Sequence, residues 1–229
     1  MPGRLTIGLY NSYDPRRFGE AHRRALVRAA PLALAFDANL AAFGFPFDEL
    51  AAHGGRTAEN RSRGAVRGAS RGEDAPQRVR NEKRGQGEPV ELRTPVEIAE
   101  YVAATTSVAG AKTAPEGDIS HFVRLAREGR FAVFELPKKG FPPQLGALVL
   151  TTEHARGPKA MTPLAVAQAL AHGRSQLLLF GLGPHGTPPE VREAAAGELD
   201  VTGKGIGLET ATAMGAVVAA IAAHAATLT

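Results

Sequence analysis

Short apolar runs alternate with helix-forming stretches along most of this chain, and no other feature restricts its fold as strongly. Runs over 5–10, 32–36, 131–135, 145–150, 177–180 and 199–202 read as strands. Between them lie helical patterns. Over 17–30, Phe18, Ala21, Ala25, Val27 and Ala29 form a loose helical stripe. Thr94, Pro95 and Glu97 supply an N-cap, a first-position proline and a capping-box partner for a helix to about Thr106. Further helices are expected over 119–128, from Thr162-Pro163 to about Ala171, after Thr187-Pro188, and from Gly207 onward. Strands separated by helices pair in parallel and are covered on both faces, so the fold class is α/β with a mostly parallel sheet in a single domain. Ligands of such sheets sit beyond the carboxyl ends of the strands. Three loops leave those ends, over 151–163, 181–187 and 203–207, and a site is expected among them.

Residues 53–93 break the alternation. They hold ten Lys/Arg, six Asp/Glu and seven glycines, with no aromatic residue, whereas the rest of the 229-residue chain carries 17 charges of each sign. Such a composition buries too little apolar surface to offset its ordering entropy, and it reads as a disordered insertion. It is either a solvated loop or an arginine-rich arm for RNA phosphates. The absence of cysteine excludes disulfides and thiolate zinc sites and suits a reducing compartment. The opening MPGRLTIGLYN lacks the apolar core of a signal peptide, so a cytoplasmic location is expected. The most apolar stretch, 207–228, is mostly alanine and contains Glu209 and His224, which favours a buried helix over a membrane span. The histidines at 22, 121, 154, 172 and 224 show no metal-binding spacing, and no metal is expected.

Gly181-Leu182-Gly183-Pro184-His185-Gly186 matches the dinucleotide fingerprint G-x-G-x-x-G, following a strand and preceding a helix. Three features argue against a dinucleotide oxidoreductase. Only 43 residues follow Gly186, Asp200 comes 14 residues later rather than about 20, and Thr187-Pro188-Pro189 delays the helix so that Gly186 lies outside its first turn. The C-terminal segment is better read as a unit. A buried strand ends in one glycine loop, a short helix and strand follow, and a second glycine loop opens a small-residue helix. Two adjacent loops of this kind expose backbone N–H and C=O groups to a planar ligand, suiting an adenine and ribose with no phosphate to satisfy. The closing helix, with Ala211, Ala213, Gly215, Ala216, Ala219 and Ala220, lets other backbone pack close.

These loops resemble the cofactor site of the SPOUT family of knotted methyltransferases. Residues 180–186 stand at the family's first glycine loop, and 202–213, from Thr202-Gly203-Lys204-Gly205-Ile206-Gly207 to Ala213, at its second. Residues 14–25, from Asp14-Pro15 through Gly19 and Arg23 to Ala25, look like its first motif, N-P-x-N-x-G-x-x-x-R-x-A. With Asn11-Ser12-Tyr13 included, the pattern looks most like an archaeal branch. The resemblance implies a C-terminal trefoil knot, a homodimer, S-adenosylmethionine as methyl donor, and RNA (tRNA or rRNA) as acceptor. It places Phe180, Gly181, Leu182, Gly183, Gly186, Thr202, Gly203, Ile206, Leu208, Glu209 and Thr210 at the donor and Arg23 at the chemistry. Thr151 and Thr152, at a strand end, read as edge polar residues or rim contacts to the adenine, and Asn11, at a strand end facing the expected site, joins Arg23 as a candidate. Arg17 and Glu209 replace motif asparagines, a pattern that also fits a catalytically silent RNA-binding member. Read by themselves, Arg23 is a helix residue among four other arginines, Asn11 and Asp14 are turn formers, His185 is a loop histidine, and Glu209 caps its helix as readily as it meets an amine.

Overall fold

The computed structural model describes residues 3–12, 19–47, 94–106, 120–138, 140–183 and 186–228. The insertion 53–93, the motif residues 13–18 and His185 lie outside them. Among the described residues, seven strands form one sheet in the order β3-β2-β1-β6-β4-β7-β5, with every ladder parallel. They are β1 (Leu5–Asn11), β2 (Asn39–Phe43), β3 (Phe131–Phe134), β4 (Ala147–Thr151), β5 (Ala160–Met161), β6 (Gln176–Leu182) and β7 (Gly197–Leu199). The helices are α1 (Glu20–Ala35), α2 (Pro95–Thr105), α3 (His121–Arg127), α4 (Pro163–Ala171), α5 (Pro189–Ala194) and α6 (Thr210–Ala226). The α/β architecture with a parallel sheet is therefore as the alternation dictates.

Central strands β1 and β6 are apolar on both sides because both faces are covered. Ile7, Leu9, Leu178 and Phe180 join the larger core cluster, packed by residues of α1, α2, α3, α4 and α6. Tyr10, Leu148, Leu150, Leu177 and Leu179 join a smaller one, covered by Val191 of α5, Ala195 and the side chains of Phe134, Leu136, Phe141 and Leu145. Helix α6 buries Met214, Val217, Val218 and Ile221, a stripe at helical spacing. Each such side chain contributes roughly 1.5–3 kcal/mol relative to exposure. Strands β6 and β7, late in sequence, lie between strands laid down earlier: β6 between β1 and β4, β7 between β4 and β5. Among the described residues no helix is long and apolar enough to cross a membrane.

Several boundaries differ from expectation. The strand expected over 145–150 begins at Ala147, after a 3-10 turn over Pro143–Leu145, and the expected loop 151–163 contains β5. The run 32–36 is no strand. Helix α1 continues through Pro31 to Ala35, and the strand is β2, four residues after the helix ends. Short apolar runs carry no period that separates helix from strand. A Schellman-type turn ends α1: Asp37 adopts φ 50° and the Ala38 N–H donates to the Ala33 carbonyl. The Arg130 Nη2 donates to the carbonyls of Ala33 and Ala38, both at 2.7 Å, and secures it. The last strand is β7, ending at Leu199 rather than covering 199–202, because Asp200 turns the chain. The closing helix starts at Thr210, capped by Glu209, rather than at Gly207.

Candidate functional site

The carboxyl ends of β4, β6 and β7 surround a cleft of about 340 Å³, within the range of about 300–1,000 Å³ usual for small-molecule pockets. Each wall follows from local sequence. Strand β4 ends in Thr151 and Thr152, and the Thr151 hydroxyl donates to the Leu179 carbonyl at 2.8 Å, tying β4 to β6. Strand β6 brings Phe180 and Gly181, and its loop brings Gly183 and Gly186. After β7, Asp200, Val201, Thr202, Ile206 and Leu208 form the opposing wall, and Thr210 of α6 closes the floor by donating to the Gly181 carbonyl at 3.2 Å.

The cleft thus gathers Thr151, Thr152, Phe180, Gly181, Gly183, Gly186, Thr202, Ile206, Leu208 and Thr210 from the residues singled out in the sequence. Leu182, Gly203 and Glu209 do not line it. Leu182 is buried in the core beneath a groove between α1 and α6, and Gly203 faces outward at the turn after β7. Glu209 caps α6, accepting from the amides of Ala211 and Thr212, and its other oxygen lies 3.5 Å from Arg28 Nη1.

Arg23 and Asn11 sit apart from the cleft lining. Arg23 donates through Nε and Nη2 to Glu20 Oε2 at 3.1 and 2.8 Å. Burial would raise the Glu20 carboxyl, but bonds from Arg23 and Arg24 outweigh it and hold it below its ordinary range. Asn11 is buried at the end of β1, where its Nδ2 donates to the Gly44 carbonyl and its Oδ1 lies 2.8 Å from His22 Nε2. The Gly19 N–H donates to His22 Nδ1 at 3.0 Å, so Nδ1 carries no proton and Nε2 donates to Asn11. Burial pushes the His22 imidazole below its ordinary value, in keeping with this neutral form. The Phe45 ring meets its edge at 5.2 Å.

Sequence reasoning gave no place in the cleft to four further polar side chains: Glu153, His154, Arg192 and Asp200. The Glu153 carboxylate rests against Gly207, where any Cβ would overlap it, and lies 3.2 Å from His154 Nε2. Arg192 reaches Thr152 Oγ1 at 3.4 Å and Glu198 at 3.5 Å. Asp200 was weighed only as a ribose ligand. Its real signal was its place two residues before Thr202-Gly203, the pattern of a side chain that turns its own backbone. Burial raises the Asp200 carboxyl, but the hydroxyl of Thr202 and the backbone N–H groups of Gly205, Thr202 and Gly203 together hold it below its ordinary range. Among the described residues no cluster of three His, Asp or Glu side chains forms a metal site.

A family model described as "Protein of unknown function (DUF531)" matches residues 87–222. An uncharacterised protein of Methanocaldococcus jannaschii, MJ0224, is 30% identical over 218 residues, covering 95% of this chain and 93% of its own. Solved structures with a similar arrangement include a putative methylase family protein from Neisseria gonorrhoeae (14% identity, TM-score 0.49, 96% of this chain and 82% of that one). A probable methylase family protein from Haemophilus influenzae aligns at 12% identity and TM-score 0.47, covering 99% of this chain and 68% of that one. The SpoU methyltransferase AviRb from Streptomyces viridochromogenes, solved with AdoMet, aligns at 12% identity and TM-score 0.42, covering 97% and 58%.

Proposed function

The chain belongs to the family described as DUF531, and on that premise we propose that it is an S-adenosylmethionine-dependent methyltransferase of SPOUT type acting on RNA, either tRNA or rRNA. The observation that carries the reading is the meeting of both glycine loops, separated in sequence by α5 and β7, in one cleft at the strand ends. The lining fits a methyl donor of this kind. Main chain at Gly181 and Gly183 and the hydroxyl oxygens of Thr151, Thr152 and Thr210 suit a nucleoside, and the Glu153 carboxylate suits a cationic ligand. When bound, the donor supplies an electrophilic methyl group: an acceptor lone pair takes the methyl carbon, the C–S electron pair stays on sulfur, and the acceptor proton is released. The chain's part is to hold donor and acceptor in line at short range. Arg23, carried on the first turn of α1, would orient the acceptor, and Asn11 would fix that turn.

Four further expectations join this reading. The insertion of β6 and β7 between earlier strands supports a knotted C-terminus. The chain is one domain bearing a basic insertion over 53–93 that meets RNA phosphates. It works as a homodimer and in the cytoplasm. A second reading, a silent RNA-binding member, is favoured by the internal engagement of both Arg23 and Asn11. Labelled methyl transfer to unmodified tRNA and rRNA decides between them. The enzyme reading expects incorporation that falls about a hundredfold or more in Arg23→Ala. Donor binding with no incorporation into either RNA leaves the silent member.

A further inference from the structure

Gly203 and Gly205 lie at φ 62° and 70°, while Thr202 and Lys204 between and before them keep negative φ. Alternating signs turn successive N–H groups toward one centre, the concavity that binds phosphate in many nucleotide sites. Here the chain fills that concavity itself. Asp200 Oδ1 accepts from the Thr202 amide at 2.8 Å and its hydroxyl at 2.6 Å, and Oδ2 accepts from the Gly205 amide at 2.9 Å. The Gly203 amide donates to the Asp200 carbonyl at 3.3 Å. The amides of Lys204 and Ile206 donate to Thr202 Oγ1 at 3.1 and 3.4 Å. Every backbone donor from 202 to 206 is therefore taken by Asp200 or Thr202.

The cleft's arginine, Arg192, is drawn toward Glu198 and Thr152, while Asp200 and Glu153 place two carboxylates in the lining.

We propose that Asp200 determines the ligand class of this cleft: as an internal anion it occupies the loop's phosphate site and makes the cleft selective for nucleosides without phosphate over phosphorylated nucleotides. The proposal rests on the reading of the cleft as a nucleoside-type donor site, and it deepens that reading. Asp200→Asn removes the charge and sets an amide N–H against a loop N–H, so at least one backbone donor is released.

The test is calorimetric titration of the wild type, Asp200→Asn and Thr202→Val with S-adenosylhomocysteine, ADP and inorganic phosphate, each protein first shown to melt cooperatively. The wild type is expected to bind the homocysteine compound and not phosphate. Asp200→Asn should shift the preference toward ADP by about tenfold or more, and Thr202→Val, which frees two amides but keeps the carboxylate, by less. A folded Asp200→Asn with preference unchanged within about twofold overturns the proposal. If Asp200→Asn does not fold, the same shift or its absence is read from Asp200→Ser, which also removes the carboxylate. If the wild type binds no sulfur compound, the donor reading falls by itself. The Asp200 proposal is then judged on phosphate and ADP alone, gained affinity supporting it and none overturning it.

Discussion

The cleft beyond β4, β6 and β7 and the turn that opens α1 both lie at the carboxyl edge of the sheet, yet their internal bonding serves different ends. It walls a cavity in the first and closes a helix turn in the second. In the cleft, Thr151 and Thr210 donate to the carbonyls of Leu179 and Gly181, and Asp200 and Thr202 bond to their own loop, around a cavity of about 340 Å³. At the α1 turn, His22 and Asn11 bond to each other and to backbone, and Arg23 lies on Glu20. The difference teaches that bonding around His22 and Asn11 fixes the start of α1, while bonding around the cleft leaves space open between its walls. It also separates the expected consequences of substitution: binding should respond to the cleft, stability to the turn.

The largest effect is expected at Gly207. Its replacement by valine drives the Glu153 carboxylate out of place, and affinity for S-adenosylhomocysteine should fall about a hundredfold, ~2.7 kcal/mol, with the melting temperature nearly kept. Equal loss of stability there would erase the contrast. Next, Asn11→Ala removes a buried amide that joins β1 to His22 and Gly44. Urea unfolding should show a cost of about 1–3 kcal/mol, while ligand affinity stays within about twofold. Weakened binding without destabilisation would place Asn11 in the site after all. Glu209→Ala removes the α6 cap and should cost about 1 kcal/mol without changing affinity. An affinity loss would show that Glu209 meets the ligand. The smallest effect concerns pH. His22 is pushed below 6.5 by burial, so the folded state binds its proton less readily than the unfolded chain. Its stabilising contribution is complete above 6.5 and is lost as pH falls from there through the lowered folded value. His22→Gln, which keeps a donor toward Asn11, should flatten stability across that window. An unchanged slope would mean that the imidazole does not set it.

The parts of the fold written in local chemistry could be read directly. The Thr94 capping box and the Thr162 cap appear as expected, with each hydroxyl accepting from the amide three residues on. Strand β6 and the loops after it could be placed because a long apolar run followed by glycines has few other uses. Strand β2 was missed because Asn39–Phe43 is alanine-rich and lies behind the more apolar end of α1, where only tertiary packing decides. The cleft glycines were legible as two loops after strands, and Thr202 and Thr210 through the resemblance those loops carry. The role of Glu153 was not, since Gly207 lies far from it in sequence, whereas Asp200 acts on its own turn and its signal was local. Arg192 gave no signal, since the six-residue α5 is too short for a periodic pattern.

The claim on which the rest depends is that the cleft binds a methyl donor. Calorimetric titration of the purified protein with S-adenosylmethionine and S-adenosylhomocysteine, with NAD as the control, tests it most directly. The account predicts micromolar binding of the homocysteine product at one site per chain and none of NAD. A folded protein that binds neither sulfur compound, or prefers NAD, contradicts it.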